Sequence, residues 1–120
     1  MTIKDIVPMS LGLLGPSDAM EIIIEKNTPI PCEHSETFYT ASNNQKVFDI
    51  IVYQGESEFA SENIELNRML LTGIPPNKKY EEELTVVFKV DSSGLLTVTA
   101  SSNSNKNSTV ALSITQEKMN

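Results

Sequence analysis

The most reactive side chains in this sequence belong to its only cysteine and its only histidine, Cys32 and His34. A structural zinc site takes four ligands, usually cysteine and histidine, which two such residues cannot supply. Cys32, Ser10 or Ser35 could act as a nucleophile only with His34 as the base, and their spacing does not indicate this. We therefore predict no metal site and no catalytic residue, and we interpret Cys32 and His34 as ordinary strand residues.

Motifs of known catalytic sites are absent as well. The sequence contains no GxSxG, GxGxxG, HExxH or P-loop motif. The acidic run at residues 81–83 is interpreted as solvated charge at the start of a strand. The sequence thus predicts that the chain is not an enzyme. An unrelated hydrolytic sandwich that uses Cys32 or His34 is a remote alternative.

Composition narrows the choice of partners and compartment. The 120 residues carry a formal net charge of −7, and the sequence pI is about 4.6. Without a basic stripe, we expect no nucleic-acid partner and no membrane partner. The length suits one domain around one core. No secretory signal or membrane-length apolar run is visible, so the predicted location is cytoplasmic.

Strand-like segments separated by turn residues run along the whole chain. They are residues 6–13, 21–26, 32–41, 47–54, 68–72, 83–90, 95–100 and 109–115. The only segment that could be helical, residues 57–67, has no convincing apolar stripe. Short strands at regular spacing predict an all-β fold, an antiparallel β-sandwich.

Segment 32–41, with the sequence CEHSETFYTA, is unusual because it has no obvious core face. Alternate residues of a strand point to opposite sides. One side here would carry a cysteine, a histidine, a glutamate, a phenylalanine and a threonine. The other side is equally mixed, so the pattern predicts a strand without a committed inner face.

Six groups of residues occur in an order and at spacings typical of one protein family. They are DIVPMSLG (5–12), KNTPIPC (26–32), FYT with NNQ (38–40, 43–45), VYQGE (52–56), LTGIPP (71–76) and VVFKVD with GLLTVTA (86–91, 94–100). Together they resemble the β-sandwich part of the substrate-binding domain of the 70-kilodalton heat-shock chaperones. The sequence is identified as a divergent member of that family.

This resemblance implies two four-stranded antiparallel sheets whose loops form a groove for extended, hydrophobic segments of unfolded polypeptides. A strand that meets a transient ligand would have no permanent core face, which accounts for segment 32–41. The positions that the resemblance assigns to peptide contacts are Leu13, Gly15, Pro16, Ala19, Phe38, Tyr39, Ala41, Gln45, Phe48, Ile50 and Leu84.

The roles implied at these positions differ. Phe38 would form the floor of the groove, and the main chain of Tyr39 and Ala41 would hydrogen-bond the guest peptide. Ala41 and Pro16 match the two positions that arch over the peptide, while Gly15 and Gln45 match further backbone contacts. The remaining positions would line the central pocket, with Leu84 closing one side.

The family also implies parts that lie beyond this sequence. Residues 1–5 would be a linker remnant, and residues 1–120 a single peptide-binding domain without the helical lid or the nucleotide-binding domain. ATP and Mg²⁺ would bind in that absent domain, so no cofactor is expected here. Asp5 and Pro31 match positions of interdomain signalling. The implied partners of the full-length protein are the nucleotide-binding domain and co-chaperones.

Departures from the family pattern keep a second function open. Pro16 should stiffen the arch, Ser17 and Asp18 replace a usual pair of glycines, and Phe48 is larger than the usual aliphatic residue. The alternative is an interaction or regulatory module that docks a dedicated protein partner in a narrowed groove. From periodicity alone, Phe38, Phe48 and Ile50 are ordinary sandwich core.

Two further expectations concern an open groove on an acidic chain. The negative charge should favour peptides with Lys or Arg flanks, an effect that salt should weaken. An uncovered apolar groove should also favour self-association.

Overall fold

The structure is a computed structural model that describes residues 5–115. Its strands are β1 (Leu11–Leu14), β2 (Met20–Ile24), β3 (Cys32–Tyr39), β4 (Phe48–Gln54), β5 (Ile64–Leu71), β6 (Glu83–Val90), β7 (Leu96–Ser102) and β8 (Asn105–Ile114). Two 3-10 turns, Pro16–Asp18 and Ala60–Glu62, lie between β1 and β2 and between β4 and β5. The predicted all-β class is confirmed. The predicted linker remnant, apart from Asp5, lies outside the described residues.

The eight strands form two antiparallel sheets of four strands each. The strand order is β2-β1-β4-β5 in the first sheet and β3-β6-β7-β8 in the second. The predicted sandwich of two four-stranded sheets is therefore confirmed.

The core lies between the sheets, where alternate residues of the strands meet. Strand β6 shows the pattern, since Leu84, Val86 and Phe88 are fully buried while Glu83 and Lys89 are exposed. Period-two alternation places every second side chain on the same face of a strand. Full burial of a side chain such as Phe88 contributes about 1.5–3 kcal/mol, so β6 anchors the sandwich.

Strand β3 has an open edge, because within residues 5–115 it pairs with β6 alone. Only Cys32 and Phe38 are half-buried, and its other side chains are exposed. A cleft of about 350 Å³ opens between residues 22–24 of β2 and residues 32–34 of β3. Exposed charges along an open edge discourage pairing with another chain. The mixed faces predicted for this segment thus belong to an edge strand.

The first strand is shorter than predicted and does not cover the whole of residues 6–13. Strand β1 begins only at Leu11. Val7 instead lies along the β2–β3 connection, donating its N–H to the Thr28 carbonyl (2.9 Å) and accepting from Asn27 N–H (2.7 Å). Pro8 has no N–H for a strand ladder, so the β1 ladder starts after it.

Strand β5 begins at Ile64, four residues before the predicted start. The segment 57–67 therefore contains a 3-10 turn and the first half of a strand rather than a helix. Ile64 lies opposite Gln54 of β4. Pairing with β4 supplies the stabilisation that the polar sequence ENIELN does not provide by propensity.

The reversal predicted over residues 101–108 is much shorter, because β7 continues to Ser102 and β8 starts at Asn105. Ser108, expected in a loop, is buried within β8 and donates its hydroxyl to the Thr72 carbonyl. Serine and asparagine are weak strand formers, so only the cross-strand pairing reveals these strand ends.

Candidate functional site

Two loops emerge at the same end of the first sheet: the β1–β2 loop (residues 15–19) and the β3–β4 loop (residues 40–47). Strands β1 and β4 are antiparallel neighbours, with Leu13 opposite Val52. The end of β1 therefore lies near the start of β4, where Phe48 follows the β3–β4 loop. The fold brings together two loops that are distant in sequence.

An aromatic pair lies at the base of the β3–β4 loop. The ring centroids of Phe38 and Phe48 are 5.9 Å apart, and the rings are tilted by 40°. Such offset, tilted contacts suit aromatic rings. Both side chains are half-buried and pack against the hydrophobic core. They offer partly exposed apolar surface on a well-supported base.

The aliphatic residues predicted to line the pocket lie deeper than this pair. Leu13 is 2% exposed, and Ile50 and Leu84 are fully buried. Leu84 lies directly opposite Phe38 in the ladder between β3 and β6. These three side chains support the aromatic pair from within the core and contribute almost no surface of their own.

The β3–β4 loop is closed by the side chain of Gln45. Its Oε1 accepts from the Ala41 N–H, and its Nε2 donates to the Val47 carbonyl, both at 2.8 Å. A carboxamide has the same donor and acceptor as a peptide group. The Gln45 side chain therefore forms hydrogen bonds with the Ala41 N–H and the Val47 carbonyl that the backbone of an added strand would otherwise form.

Main-chain hydrogen bonds attach the β3–β4 loop to residues 74–82, here called the 74–82 segment. Asn44 N–H donates to the Asn77 carbonyl (2.6 Å), and Tyr80 N–H donates to the Thr40 carbonyl (2.7 Å). Thr40 N–H donates in turn to the Glu82 carbonyl (3.1 Å). This backing depends little on the identity of the side chains.

The β1–β2 loop is shorter and folds into the 3-10 turn Pro16–Asp18. Gly15 N–H donates to the Ala19 carbonyl (2.8 Å), and Ala19 N–H donates to the Pro16 carbonyl (3.1 Å). Proline suits the first position of such a turn because its φ is already fixed. Pro16 is exposed, while Gly15 and Ala19 are half-buried.

The β1–β2 loop carries backbone strain at two consecutive residues. Ser17 and Asp18 have φ values of 56° and 62°. In this left-handed region a residue with a Cβ costs roughly 1–2 kcal/mol. The two residues that replace the usual glycines therefore adopt a glycine-like conformation.

The outer segment (residues 55–63) backs the β1–β2 loop. Ala19 forms an isolated antiparallel bridge with Phe59, and Met20 N–H donates to the Glu58 carbonyl (2.9 Å). The Asp18 carboxylate also accepts from the N–H (3.0 Å) and the hydroxyl of Ser61. Both loops are thus held by a neighbouring segment. The β3–β4 loop is held mainly by main-chain hydrogen bonds, and the β1–β2 loop partly by the Asp18 side chain.

The sequence model of a family described as Hsp70 protein matches residues 1–120. The chain belongs to the Hsp70 family. It is 41% identical over 100 residues to "Chaperone protein dnaK1" of Parasynechococcus marenigrum (strain WH8102), covering 83% of this chain and 15% of that protein. It is 43% identical over 96 residues to "Chaperone protein dnaK3" of Synechocystis sp. (strain ATCC 27184 / PCC 6803 / Kazusa), covering 80% of this chain and 12% of that protein. The chain thus spans less than a sixth of the length of these relatives.

The remaining predicted contact residues of this Hsp70 chain lie around the β3–β4 loop. Tyr39 ends β3 opposite Glu83, and its side chain is 54% exposed. Ala41 is exposed, and Gln45 is half-buried. All three lie between Phe38 and Phe48 in the sequence. The Ala41 N–H is already bonded to the Gln45 side chain.

Asp5 and Pro31 meet at the opposite end of the sandwich, where β2 ends and β3 begins. The Asp5 carbonyl accepts from Ile30 N–H (3.1 Å), and Ile6 forms a bridge with Pro29. Asp5 and Pro31 are both exposed. The two predicted signalling positions share one surface corner, although they are far apart in sequence.

Glu82 corrects the interpretation of residues 81–83 as a solvated charge run. Its side chain is only 6% exposed, while its neighbours Glu81 and Glu83 are exposed. Its carboxylate accepts from Asn77 Nδ2 (3.1 Å) and Ser104 Oγ (2.6 Å). A buried carboxylate requires such hydrogen bonds. Asn77 belongs to the same segment and Ser104 to a distant one, and the run of glutamates by itself reveals neither.

Sequence reasoning also missed three contacts, two at the β1–β2 loop and one just before β1. These are the Asp18–Ser61 pair, the Glu56 carboxylate on Ser10, and the Glu21 side chain, which fills the space beside Gly15. The one available signal was the residue type of position 18. Aspartate tolerates the left-handed conformation better than most residues.

The hydroxyl and N–H of Ser10 lower the pKa of Glu56 below its ordinary value. They bond the carboxylate at 2.6 and 2.8 Å. Hydrogen bonds to the charged form favour it. This contact fixes the start of the outer segment to the chain just before β1.

Cys32 and His34 lie near the start of β3. Partial burial raises the pKa of the Cys32 thiol, opposed by a main-chain hydrogen bond with Val90. A raised pKa leaves less of the nucleophilic thiolate. His34 Nε2 lies 3.4 Å from Glu36 Oε1. Among residues 5–115, no group of three or more His, Cys, Asp or Glu side chains could hold a metal ion.

The part of the chain that the structure describes contains no helix long and apolar enough to cross a membrane.

Proposed function

We propose that this chain is the peptide-binding β-sandwich domain of an Hsp70 chaperone and holds extended hydrophobic segments of unfolded polypeptides. The guest would lie between the β1–β2 loop and the β3–β4 loop. The observation that carries this proposal is the half-buried Phe38–Phe48 pair at the base of the β3–β4 loop. A partly exposed aromatic pair on a rigid support suits an apolar guest side chain.

The β3–β4 loop supplies the main-chain part of the recognition. Gln45 now occupies the Ala41 N–H and the Val47 carbonyl. A guest backbone carries the same donor and acceptor and could replace the Gln45 carboxamide there. Main-chain bonds of this kind give affinity that does not depend on the guest sequence.

The expected binding is weak and broad. Burying one leucine side chain contributes about 1.5–3 kcal/mol, whereas a micromolar complex requires about 8 kcal/mol. One filled pocket cannot supply that free energy. Flanking contacts and main-chain hydrogen bonds must therefore contribute most of it, which suits a binder of many unrelated sequences.

A docking module for one dedicated protein is the second candidate function. It is favoured by the nearly complete burial of Leu13, Ile50 and Leu84, which leaves the aromatic pair as a shallow floor. Pro16 in a tight turn further restricts the β1–β2 loop. A module of this kind would bind one folded surface and ignore short peptides.

The proposal assigns no catalysis to this segment. ATP and Mg²⁺ binding would reside in a nucleotide-binding domain elsewhere in the full-length protein, with Asp5 and Pro31 facing it at the opposite corner. That domain and co-chaperones are the proposed partners, and a cytoplasmic location is proposed for the whole. We assign no nucleic-acid or membrane partner, and we expect self-association when the groove is empty.

The test is fluorescence anisotropy of a labelled, leucine-centred peptide titrated with the 120-residue chain. We expect saturable binding near micromolar affinity, which Phe38→Ala weakens about tenfold, or about 1.4 kcal/mol. Tyr53→Ala is the matched control, because Tyr53 is a half-buried aromatic residue of β4 that lies opposite Gly12, away from the aromatic pair.

Two results would argue against the proposal. Absence of peptide binding by a folded chain, with capture of a single protein, would favour the docking module. Equal losses from Phe38→Ala and Tyr53→Ala would show that the aromatic pair is not the binding surface. Circular dichroism of every variant separates these results from unfolding.

A further inference from the structure

A contact that the proposed groove does not explain joins the β1–β2 loop to the outer segment through Asp18 and Ser61. Both carboxylate oxygens of Asp18 are engaged, Oδ1 by the Ser61 N–H (3.0 Å) and Oδ2 by the Ser61 hydroxyl. The two residues are 43 positions apart in the chain. Hydrogen bonds to an ionised group are stronger than neutral ones, so this pair can fix the loop.

Ser61 is exposed, but its backbone is attached to the core through the neighbouring residue. It lies in the 3-10 turn Ala60–Glu62, whose Ala60 is fully buried. Asn63 holds the same turn, accepting from Ser57 N–H (3.0 Å) and donating to the Ser57 carbonyl (2.9 Å). A loop bonded to this turn is therefore bonded to the body of the sandwich.

The loop at the other end of the contact is strained. Asp18 and the preceding Ser17 both occupy the left-handed region, which is unfavourable for serine and better tolerated by aspartate. Strained conformations persist only where surrounding contacts maintain them. The Asp18–Ser61 pair, together with the Ala19–Phe59 bridge, provides those contacts. Breaking the pair would release a loop that is already biased to move.

We propose that Asp18 and Ser61 form a latch that holds the β1–β2 loop closed and sets the lifetime of the bound peptide. The inference rests on the proposed function, since the lifetime concerns that groove. Asp18 is a positioning residue in this scheme, because it acts through the arch formed by Pro16 and its neighbours. Opening the latch would let a guest both leave and enter faster.

The kinetic signature distinguishes a latch from a contact that merely stabilises the fold. Asp18→Gly removes both hydrogen bonds, and Ser61→Ala removes the hydroxyl one. For Asp18→Gly we expect peptide release about tenfold faster, with association also faster, so that the equilibrium constant changes less than either rate. Ser61→Ala should show a smaller acceleration. In an Asp18→Gly background it should add nothing, because interacting residues are not additive.

Conservative and matched variants complete the design. Asp18→Asn keeps an acceptor for the Ser61 N–H and a group that can bond its hydroxyl, but without the charge, so the release rate should lie between those of the wild type and Asp18→Gly. Glu62→Ala removes the carboxylate that accepts from the Ser57 hydroxyl (2.6 Å) within the same outer segment but leaves the latch intact. It should not change either rate. Stopped-flow fluorescence of a labelled peptide measures both rates.

Hydrogen exchange of the Ser61 amide tests the latch without any peptide. We expect exchange about tenfold faster in Asp18→Gly and a smaller increase in Asp18→Asn, which keeps the acceptor but loses the charge. Unchanged exchange in Asp18→Gly would overturn the latch, whatever the peptide does. Equal release rates for Asp18→Gly and the wild type would overturn its role in peptide lifetime. If the wild type binds no peptide, the proposed function and the kinetic role both fall, while the exchange result still decides whether the latch exists.

Discussion

The two loops of the candidate groove are attached to the rest of the sandwich in different ways. The β3–β4 loop is eight residues long and is attached to the 74–82 segment mainly by main-chain hydrogen bonds. The β1–β2 loop is five residues long and has two residues in the left-handed region. The outer segment holds it through the Ala19–Phe59 bridge and, in addition, through the Asp18 side chain bonded to Ser61. A main-chain attachment survives most substitutions, whereas a side-chain attachment is lost with one. Amino-acid substitutions should therefore disturb the conformation of the β1–β2 loop more readily than that of the β3–β4 loop.

Charge separates the two loops as well. Residues 5–25 and 47–67, which contain the β1–β2 loop and the outer segment, have no Lys or Arg. The β3–β4 loop and the segment behind it contain Lys46, Lys78 and Lys79. One wall of the candidate groove is therefore acidic and the other mixed, a difference that the net charge of −7 does not show.

The largest expected effect comes from removing the support that the β3–β4 loop takes from the core. Leu84 is fully buried opposite Phe38. Leu84→Ala should lower the free energy of unfolding by about 2–5 kcal/mol, because the deleted atoms leave a cavity. Leu70→Ala is the control, since Leu70 is 43% exposed. Urea unfolding measures both, and similar midpoints for the two variants would contradict the prediction.

A smaller effect on the free energy of unfolding should distinguish the β1–β2 loop from the β3–β4 loop. Ser17→Gly should raise the free energy of unfolding by up to about 1 kcal/mol, because glycine adopts a positive φ freely. Asn44→Gly, at a φ of 53° in the β3–β4 loop, should change stability little, because asparagine tolerates this region. Thermal unfolding compares them. Equal shifts would mean that the β1–β2 loop is not the more strained of the two.

The acidic side of the candidate groove should change peptide affinity by a few-fold. The Glu21 side chain lies against Gly15, a predicted peptide-contact position. Peptides with Lys flanks should bind a few-fold more tightly than matched peptides with Glu flanks at low salt, and added salt should reduce the difference. Glu21→Lys should reduce it as well, with Glu33→Lys on the exposed edge of β3 as the control. Flank-independent affinity at low salt would contradict this expectation.

The smallest expected effect is a dependence on pH at the start of the outer segment. Because the pKa of Glu56 is lowered in the folded state, this group stabilises the fold above its ordinary value of 4.5 and loses that contribution as the pH falls further. Acid should therefore loosen the segment behind the β1–β2 loop. The Glu56→Gln variant should show a weaker dependence between pH 5 and about 3. Urea unfolding at several pH values checks this, and parallel curves would exclude the Ser10–Glu56 contact as its source.

Particular residues show how far sequence reasoning reached. Leu84, Val86, Phe88 and Val90 occupy alternate positions of the predicted strand 83–90, and the structure buries all four. The start of β5 at Ile64 and the ends of the β7–β8 hairpin were not predicted, because polar residues there gain their strand conformation only by pairing. Glu82 was assigned to the solvent, since nothing in the run of three glutamates reveals Ser104 beside it.

The sequence by itself determined the class of fold, the family and the positions of the two loops, because alternation, turn residues and ordered motifs are local properties of the chain. The tertiary structure alone decided which side chains meet. It set Phe38 against Phe48, turned Gln45 onto its own loop, and brought Asp18 to Ser61. Contacts between residues tens of positions apart depend on how the strands pair and how the sheets pack. No local pattern records that arrangement.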